Sequence, residues 1–102
     1  GGDGKIMIVV EGVFRIADLP RARTAMEAMI KASRAEPGCV DYAYAIDLLD
    51  PALVRVSERW ESRQALEAHL KSDHIRAWRA AWPDIGASGR ALRMYEAEPQ
   101  DF

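Results

Sequence analysis

Two histidines are the residues of this sequence best suited to proton transfer. His69 and His74 are its only histidines. A neutral imidazole titrates close to physiological pH, so His69 is predicted to exchange a proton with a bound substrate. His74 is predicted to contact the same substrate. The alternative for both residues is structural, in which each side chain caps or packs the end of a helix.

A metal site built on these histidines is not expected. They are five residues apart, whereas two zinc ligands on one helical face are typically four apart. The sequence shows no third ligand at a suitable spacing, so we predict no bound metal. Cys39 is the single cysteine, and nothing near it in sequence would activate a thiol. We interpret it as a small buried residue.

Tyrosine and tryptophan side chains could form the wall of a site for an aromatic compound. Tyr42 and Tyr44 share one face of a predicted strand, where a phenol either orients a ligand oxygen or packs in the core. We assign Tyr42 to the site, with core packing as the alternative, and Tyr44 to the core. Trp60 and Trp78 are predicted to contact the substrate, and Trp82 shares a helical face with Trp78. Aromatic residues at helical spacing are also typical of a core.

Glu58 lies among apolar neighbours on its strand face. A carboxylate in such a place must be paired or hydrogen-bonded, or its pKa rises. One interpretation is a substrate-contacting base in a pocket. The other, which we favour on sequence alone, is a structural ion pair, for instance with an arginine across a dimer interface.

The hydrophobic pattern predicts the elements that must position these residues. We predict strands at residues 5–16, 39–47, 53–61 and 90–97, and helices at residues 18–35, 63–72 and 75–82. Asp18 is expected to cap the first helix, and Ser62 the second, where Leu66 and Leu70 point inward. Pro83 and the glycines after it are expected to end the last helix.

This order of elements is the βαββαβ pattern of ferredoxin-like folds. The predicted fold class is α+β, with a four-stranded antiparallel sheet and the helices on one face. The chain of 102 residues suits a single domain, which we assign to residues 3–102. The first strand is apolar on both sides, so the second sheet face needs a cover, for which another copy of the chain is the simplest candidate.

Composition excludes several classes of partner. The formal net charge is −2, with acidic and basic residues interspersed, so nucleic acid is not expected to bind. No stretch approaches the roughly 20 apolar residues of a membrane span. The N-terminal residues do not form a signal peptide, and we expect a cytoplasmic protein.

Three motifs resemble the antibiotic biosynthesis monooxygenase family. The E-P-G-C run at residues 36–39, followed by Tyr42, is similar to the turn and second strand of that family. The E-x-W at residues 58–60 resembles its third-strand signature. The segment W-x-S-x-x-A-L-x-x-H-L-x-S-x-H at residues 60–74 is similar to the helix that follows.

The resemblance implies a homodimer whose two sheets pack into an α/β barrel, with a pocket between sheet and helices in each subunit. It also implies oxygenation of a quinol or aromatic polyketide-like phenol by O2 without a cofactor. In that reaction His69 accepts a proton and Tyr42 orients the substrate. The sequence has no G-x-G-x-x-G or P-loop, which agrees with this expectation. The haem-degrading branch is not expected, because the first strand lacks its asparagine.

Two alternatives of other classes remain at this point. The first is a non-catalytic dimer that binds a small aromatic molecule, or acts in a stress response, on the same fold. The second is an isomerase or decarboxylase, which also needs a proton acceptor and so shares the same candidate residues.

Overall fold

The structure is a computed structural model that describes residues 5–102. The predicted domain start at residue 3 lies outside the described residues. The elements follow in the order β1 (Met7–Arg15), α1 (Leu19–Arg34), β2 (Cys39–Asp47), β3 (Asp50–Trp60), α2 (Arg63–Leu70), α3 (Asp73–Ile85) and β4 (Ser88–Ala97).

The four strands form one antiparallel sheet in the order β2-β3-β1-β4. In this register Val10 of β1 lies opposite Glu58 of β3, and Glu58 lies opposite Tyr42 of β2. Met94 of β4 lies on the other side of Val10. Residues opposite one another share a sheet face, so these four side chains form one row across the sheet. The predicted ferredoxin-like α+β fold is confirmed.

The helices cover one sheet face and form the core with it. α1 begins after Asp18, whose Oδ1 accepts a hydrogen bond of 3.0 Å from the backbone N–H of Arg21. Its buried stripe consists of Ala22, Met26, Met29 and Ser33, as the spacing of three and four residues predicts. From β1, this stripe meets Ile8, Val10 and Phe14, all 5% exposed or less. None of the helices over residues 5–102 is both long and apolar enough to cross a membrane.

No helix within residues 5–102 covers the opposite sheet face. Met7, Val9 and Val13 alternate along β1 with its core residues and are half-buried. Tyr95 of β4 is 44% exposed. These apolar side chains are the reason for predicting that a second copy of the chain packs against this face. That dimer contact stays a prediction.

Two predicted boundaries of the last elements are wrong. α3 continues through Pro83 to Ile85, and Gly86, which has φ +64°, caps it. A Cβ at position 86 would lie 2.5 Å from the Cβ of Ala17, so glycine meets both the steric and the backbone demand. Because Pro83 lies in the last turn, only one intrahelical hydrogen bond is lost there. β4 then begins at Ser88, two residues earlier than predicted.

The starts of β3 and α3 also differ from prediction. Two aspartates at the hairpin turn accept backbone hydrogen bonds, from Leu49 to Asp47 at 3.0 Å and from Ala52 to Asp50 at 3.1 Å. These contacts shorten the turn, and β3 starts at Asp50. α3 starts two residues early because Ser72 caps it. Leu70, predicted inward, is 43% exposed.

Candidate functional site

A cavity of about 170 Å³ lies between the sheet and the helices α2 and α3. Its size is close to that of an engineered protein cavity of about 150 Å³ that binds benzene. The volume therefore suits one aromatic ring. Its wall combines apolar and aromatic side chains with two groups that can exchange protons, Glu58 and His69.

Four aromatic rings form the apolar part of the wall. Phe14 of β1 lies at their centre, with ring centroids 5.3 Å from Tyr44, 6.0 Å from Trp78 and 6.1 Å from Trp82. Trp78 and Trp82 project from adjacent turns of α3 because they are four residues apart. Most of these rings meet edge to face, with planes 68° apart for Phe14–Tyr44 and Phe14–Trp78, so they present both ring faces and ring edges to an aromatic ligand.

His69 is the buried histidine of this wall. It lies in the last turn of α2, is 2% exposed, and its Nδ1 lies 2.8 Å from Oε1 of Glu36. Because a carboxylate accepts, Nδ1 carries the proton and Nε2 is left as a proton acceptor. Nε2 has no hydrogen-bond partner within residues 5–102. Burial lowers the pKa of His69, and Glu36 only partly opposes this, so the ring is neutral near pH 7.

The turn after α1 brings Glu36 to this place. Gly38 has φ +81°, and a Cβ there would lie 2.6 Å from the Cβ of Ala65, so glycine allows the turn to pack against α2. Oε1 of Glu36 contacts both Nδ1 of His69 and Nε2 of His74. We call these three side chains the Glu36 cluster. It ties the turn to both α2 and α3.

The Glu36 cluster also has the donor atoms of a metal site. One ligand atom from each residue lies within 4.8 Å of the other two, and two imidazoles with one carboxylate suit zinc or iron. The third ligand that the sequence did not reveal is Glu36, which comes from 33 residues before His69. The 2.8 Å contact has the length of a direct hydrogen bond. The absence of a metal stays a prediction.

Glu58 reaches the cavity from β3. It is 4% exposed, and its Oε1 accepts a hydrogen bond of 3.0 Å from the indole Nε1 of Trp60. Burial raises the pKa of Glu58 to about 7, although the Trp60 contact and the charge of Arg90 act in the opposite direction. Glu58 therefore exchanges a proton near neutral pH. Within residues 5–102 it forms no ion pair, and the favoured pairing across a dimer interface stays a prediction.

Tyr42 and Tyr44 contribute hydroxyl groups to the wall. Tyr42 is 1% exposed, and its hydroxyl oxygen lies 3.2 Å from that of Tyr44. Burial raises the pKa of Tyr42, and it raises the pKa of Tyr44 to about 12. Both phenols are protonated at neutral pH, so they can orient a ligand but do not act as bases.

The cavity wall brings together four of the predicted site residues: Tyr42, Glu58, His69 and Trp78. Trp60 and His74 do not line the cavity, and both contact the ring of His69, which does. Trp60 is fully buried, with its ring centroid 4.7 Å from that of His69. The substrate contacts assigned to these residues stay predictions.

Sequence reasoning missed several residues of the site. Tyr44, assigned to the core, lines the cavity. Glu36 stood in a recognised motif, but nothing in its spacing indicated a contact with the histidines. Arg79 and Arg90 line the cavity without any periodic signal, and Arg90 comes from the edge strand β4.

Residues 7–81 match the family model of antibiotic biosynthesis monooxygenase. The chain belongs to this family. One curated relative is an uncharacterized protein of Synechocystis, 29% identical over 75 residues, which are 72% of this chain and 51% of that protein. The chain thus spans about half the length of that relative.

Solved structures share the fold of this family member. A candidate antibiotic biosynthesis monooxygenase from Deinococcus radiodurans has a TM-score of 0.85 at 21% identity, with 93% of this chain and 96% of that one covered. A protein from Mycobacterium tuberculosis has a TM-score of 0.69 at 28% identity, with 95% and 97% covered. The family resemblance inferred from the motifs is confirmed.

Proposed function

We propose that this antibiotic biosynthesis monooxygenase family member oxygenates a phenol or quinol with O2 and without a bound cofactor. The proposal rests on one observation: His69, a neutral imidazole with a free Nε2, and Glu58, whose pKa is about 7, line a single aromatic cavity. The volume of about 170 Å³ favours a single-ring phenol or quinol over a polycyclic, polyketide-like one.

The first step is removal of the phenolic proton. Nε2 of His69 accepts it, while Glu36 holds Nδ1–H and stabilises the imidazolium that forms. The Tyr42 hydroxyl orients the substrate oxygen. A positioned base of this kind typically contributes about 10²–10⁴-fold to a rate.

The second step uses the electrons of the substrate itself. The phenolate adds O2 at a ring carbon and forms a ring peroxide. That carbon then loses its hydrogen as a proton, and the O–O bond breaks to leave a ring carbonyl, with Glu58 or His69 returning a proton to the departing oxygen. The balance is phenol plus O2 giving quinone plus water, so one oxygen atom enters the product. The cavity supplies orientation and proton transfer.

A binding protein without turnover is the second candidate. The observation that favours it is that both side chains are held by partners, Nδ1 of His69 by Glu36 and the Glu58 carboxyl by Trp60. Groups held in this way are suited to fix a ligand as well as to react with it.

We further propose that the chain is a homodimer through the uncovered sheet face. Val9, Val13 and Tyr95 supply apolar surface there, which a second sheet would remove from water. Sedimentation velocity of the purified chain at micromolar concentration tests this, and a monomer would contradict it.

Oxygen uptake with ¹⁸O2 tests the reaction. The substrates are a panel of single-ring phenols and quinols and one polycyclic phenol, with product mass measured alongside uptake. We expect uptake above the spontaneous rate and one labelled oxygen atom in the product. Hydrogen peroxide formed without labelled product would indicate an oxidase and contradict the proposal. A ligand retained by the protein with no uptake would support the second candidate.

A further inference from the structure

The arginines of this chain divide into paired and unpaired side chains. Six of the eleven have a hydrogen-bond or ion-pair partner within residues 5–102: Arg15, Arg34, Arg55, Arg59, Arg63 and Arg76. Of the other five, Arg21 and Arg23 lie on α1, and Arg79, Arg90 and Arg93 line the cavity. Two unpaired guanidinium groups, those of Arg79 and Arg90, therefore lie at the cavity, and both are solvent-exposed.

A further unpaired donor lies in the same wall. The indole Nε1–H of Trp82 is buried and has no hydrogen-bond acceptor within residues 5–102. The indole of Trp60, by contrast, donates to Glu58. Leaving a buried donor without an acceptor costs free energy, which an acceptor oxygen on a bound molecule would recover.

The charge of the wall points to the same kind of ligand. Two guanidinium groups, those of Arg79 and Arg90, and one carboxylate, Glu58, line it, so the wall is net positive although the chain has a formal net charge of −2. The charge of Arg79 acts on His69, and that of Arg90 acts on Glu58, so both arginines lie near the proton-exchanging groups. Arg93 also borders the cavity, but it lies opposite Glu11 in the β1–β4 register, on the sheet face away from the helices.

We propose that the cavity binds an aromatic carboxylate: a single-ring phenol whose carboxylate pairs with Arg79 and Arg90 and accepts a hydrogen bond from Trp82. We call these three residues the donor wall. A carboxylate supplies several acceptor sites, and arginine matches its planar shape. The phenolic hydroxyl then lies toward His69. This inference rests on the proposed function and specifies its substrate class.

Matched ligands test the proposal on the purified full chain. 4-Hydroxybenzoate and 4-hydroxybenzyl alcohol have similar size but differ in charge, and calorimetric titration gives their affinities. We expect the carboxylate to bind about tenfold more tightly at low ionic strength, with the preference shrinking as salt is added. Equal affinity of the two ligands would overturn the proposal.

Variants identify the groups responsible. Arg79→Gln and Arg90→Gln are each expected to weaken carboxylate binding about two- to fivefold and to leave alcohol binding unchanged. Arg21→Gln, an unpaired arginine outside the cavity, is the control and should change neither affinity. If Arg21→Gln weakens carboxylate binding as much as Arg90→Gln does, the donor wall is contradicted.

The outcomes separate this inference from the proposed function. Neutral phenols or quinols that bind and consume O2 while carboxylates gain no affinity would refute the donor wall alone. Failure of both ligand classes to bind at millimolar concentration would refute the donor wall and the proposed function together.

Discussion

The Glu36 cluster and the donor wall are two polar regions of one small domain, and they differ in hydrogen bonding. In the Glu36 cluster one carboxylate contacts both histidines. In the donor wall the side chains of Arg79, Trp82 and Arg90 have no acceptor within residues 5–102. The two regions share α3, but the Glu36 cluster joins it to α2, whereas the donor wall joins it to β4 and exposes two arginines to solvent.

This contrast separates groups that hold the fold from groups that are free for a ligand. A satisfied buried cluster stabilises one arrangement of its elements. The buried indole N–H of Trp82 gains an acceptor only when a ligand supplies one, whereas the exposed guanidinium groups of Arg79 and Arg90 exchange water for the ligand. His69 belongs to both situations, since Nδ1 is fixed by Glu36 and Nε2 has no partner in the described chain.

Replacing His69 is expected to have the largest effect. His69→Ala should lower oxygen consumption about 10²–10⁴-fold, because the base of the proposed reaction is lost. His74→Gln, which alters the same cluster outside the cavity wall, should lower it less than about tenfold. Initial rates of O2 uptake measure both, with circular dichroism to show that each variant is folded. Equal losses would mean that His69 acts only by holding the cluster.

Neutralising Glu36 is expected to destabilise the fold. Glu36→Gln removes the charged acceptor of two imidazole groups, and we expect the free energy of unfolding to fall by about 2–3 kcal/mol. Urea denaturation measures this. Glu67→Gln on the exposed side of α2 is the matched control, with an expected change within about 0.5 kcal/mol. If both variants are equally stable, the cluster does not stabilise the fold.

The titration of Glu58 gives a pH-dependent effect. Its pKa rises from an ordinary 4.5 to about 7 in the folded chain, so the folded state holds a proton that the unfolded state has released. Its contribution to stability is complete below pH 4.5 and is lost as pH rises through about 7. The lowered pKa of His69 acts in the opposite sense, with stability lost as pH falls below 6.5.

Glu58→Gln isolates this contribution. Between pH 5 and pH 8 the free energy of unfolding of the wild type should fall on the order of 2 kcal/mol further than that of the variant. The variant therefore becomes more stable relative to the wild type as pH rises. Urea denaturation at the two pH values measures the difference, with Glu67→Gln again as the control. A constant difference between Glu58→Gln and wild type would contradict a raised pKa.

Two tryptophans give the smallest expected effect. Trp60→Phe leaves the Glu58 carboxyl without its indole donor, whereas Trp82→Phe removes a donor that has no acceptor. Trp60 is fully buried and Trp82 is half-buried, so lost packing adds to the lost hydrogen bond in Trp60→Phe. We expect Trp60→Phe to be less stable than Trp82→Phe by about 1–2 kcal/mol in thermal or urea unfolding. The reverse order would show that the Trp82 donor is satisfied in solution.

Much of the fold could be predicted from local pattern. The buried stripe of α1 and its cap at Asp18 follow from spacing and residue type alone. The hairpin of β2 and β3 follows from two alternating runs around a short turn. The prediction that Pro83 ends the last helix was wrong for a physical reason. A proline in the last turn removes one hydrogen bond, and the packing of the helix, which the sequence rule for proline does not consider, offsets that loss.

The candidate site could be predicted only in part. Tyr42, Glu58, His69 and Trp78 were identified by chemical type, and the structure places all four on one wall. Their partners were not predicted, because a hydrogen bond depends on placement within about 0.5 Å, which sequence spacing does not specify.

The sequence by itself determined the elements, their order and the residues able to do chemistry, because periodicity, capping and side-chain type are local properties. Only the tertiary structure decided which of those residues have partners. Glu36 meets His69 across 33 positions, and Arg90 of an edge strand faces the same cavity as Trp82 of a helix. Such contacts arise from the packing of the helices on the sheet, which the whole core determines together.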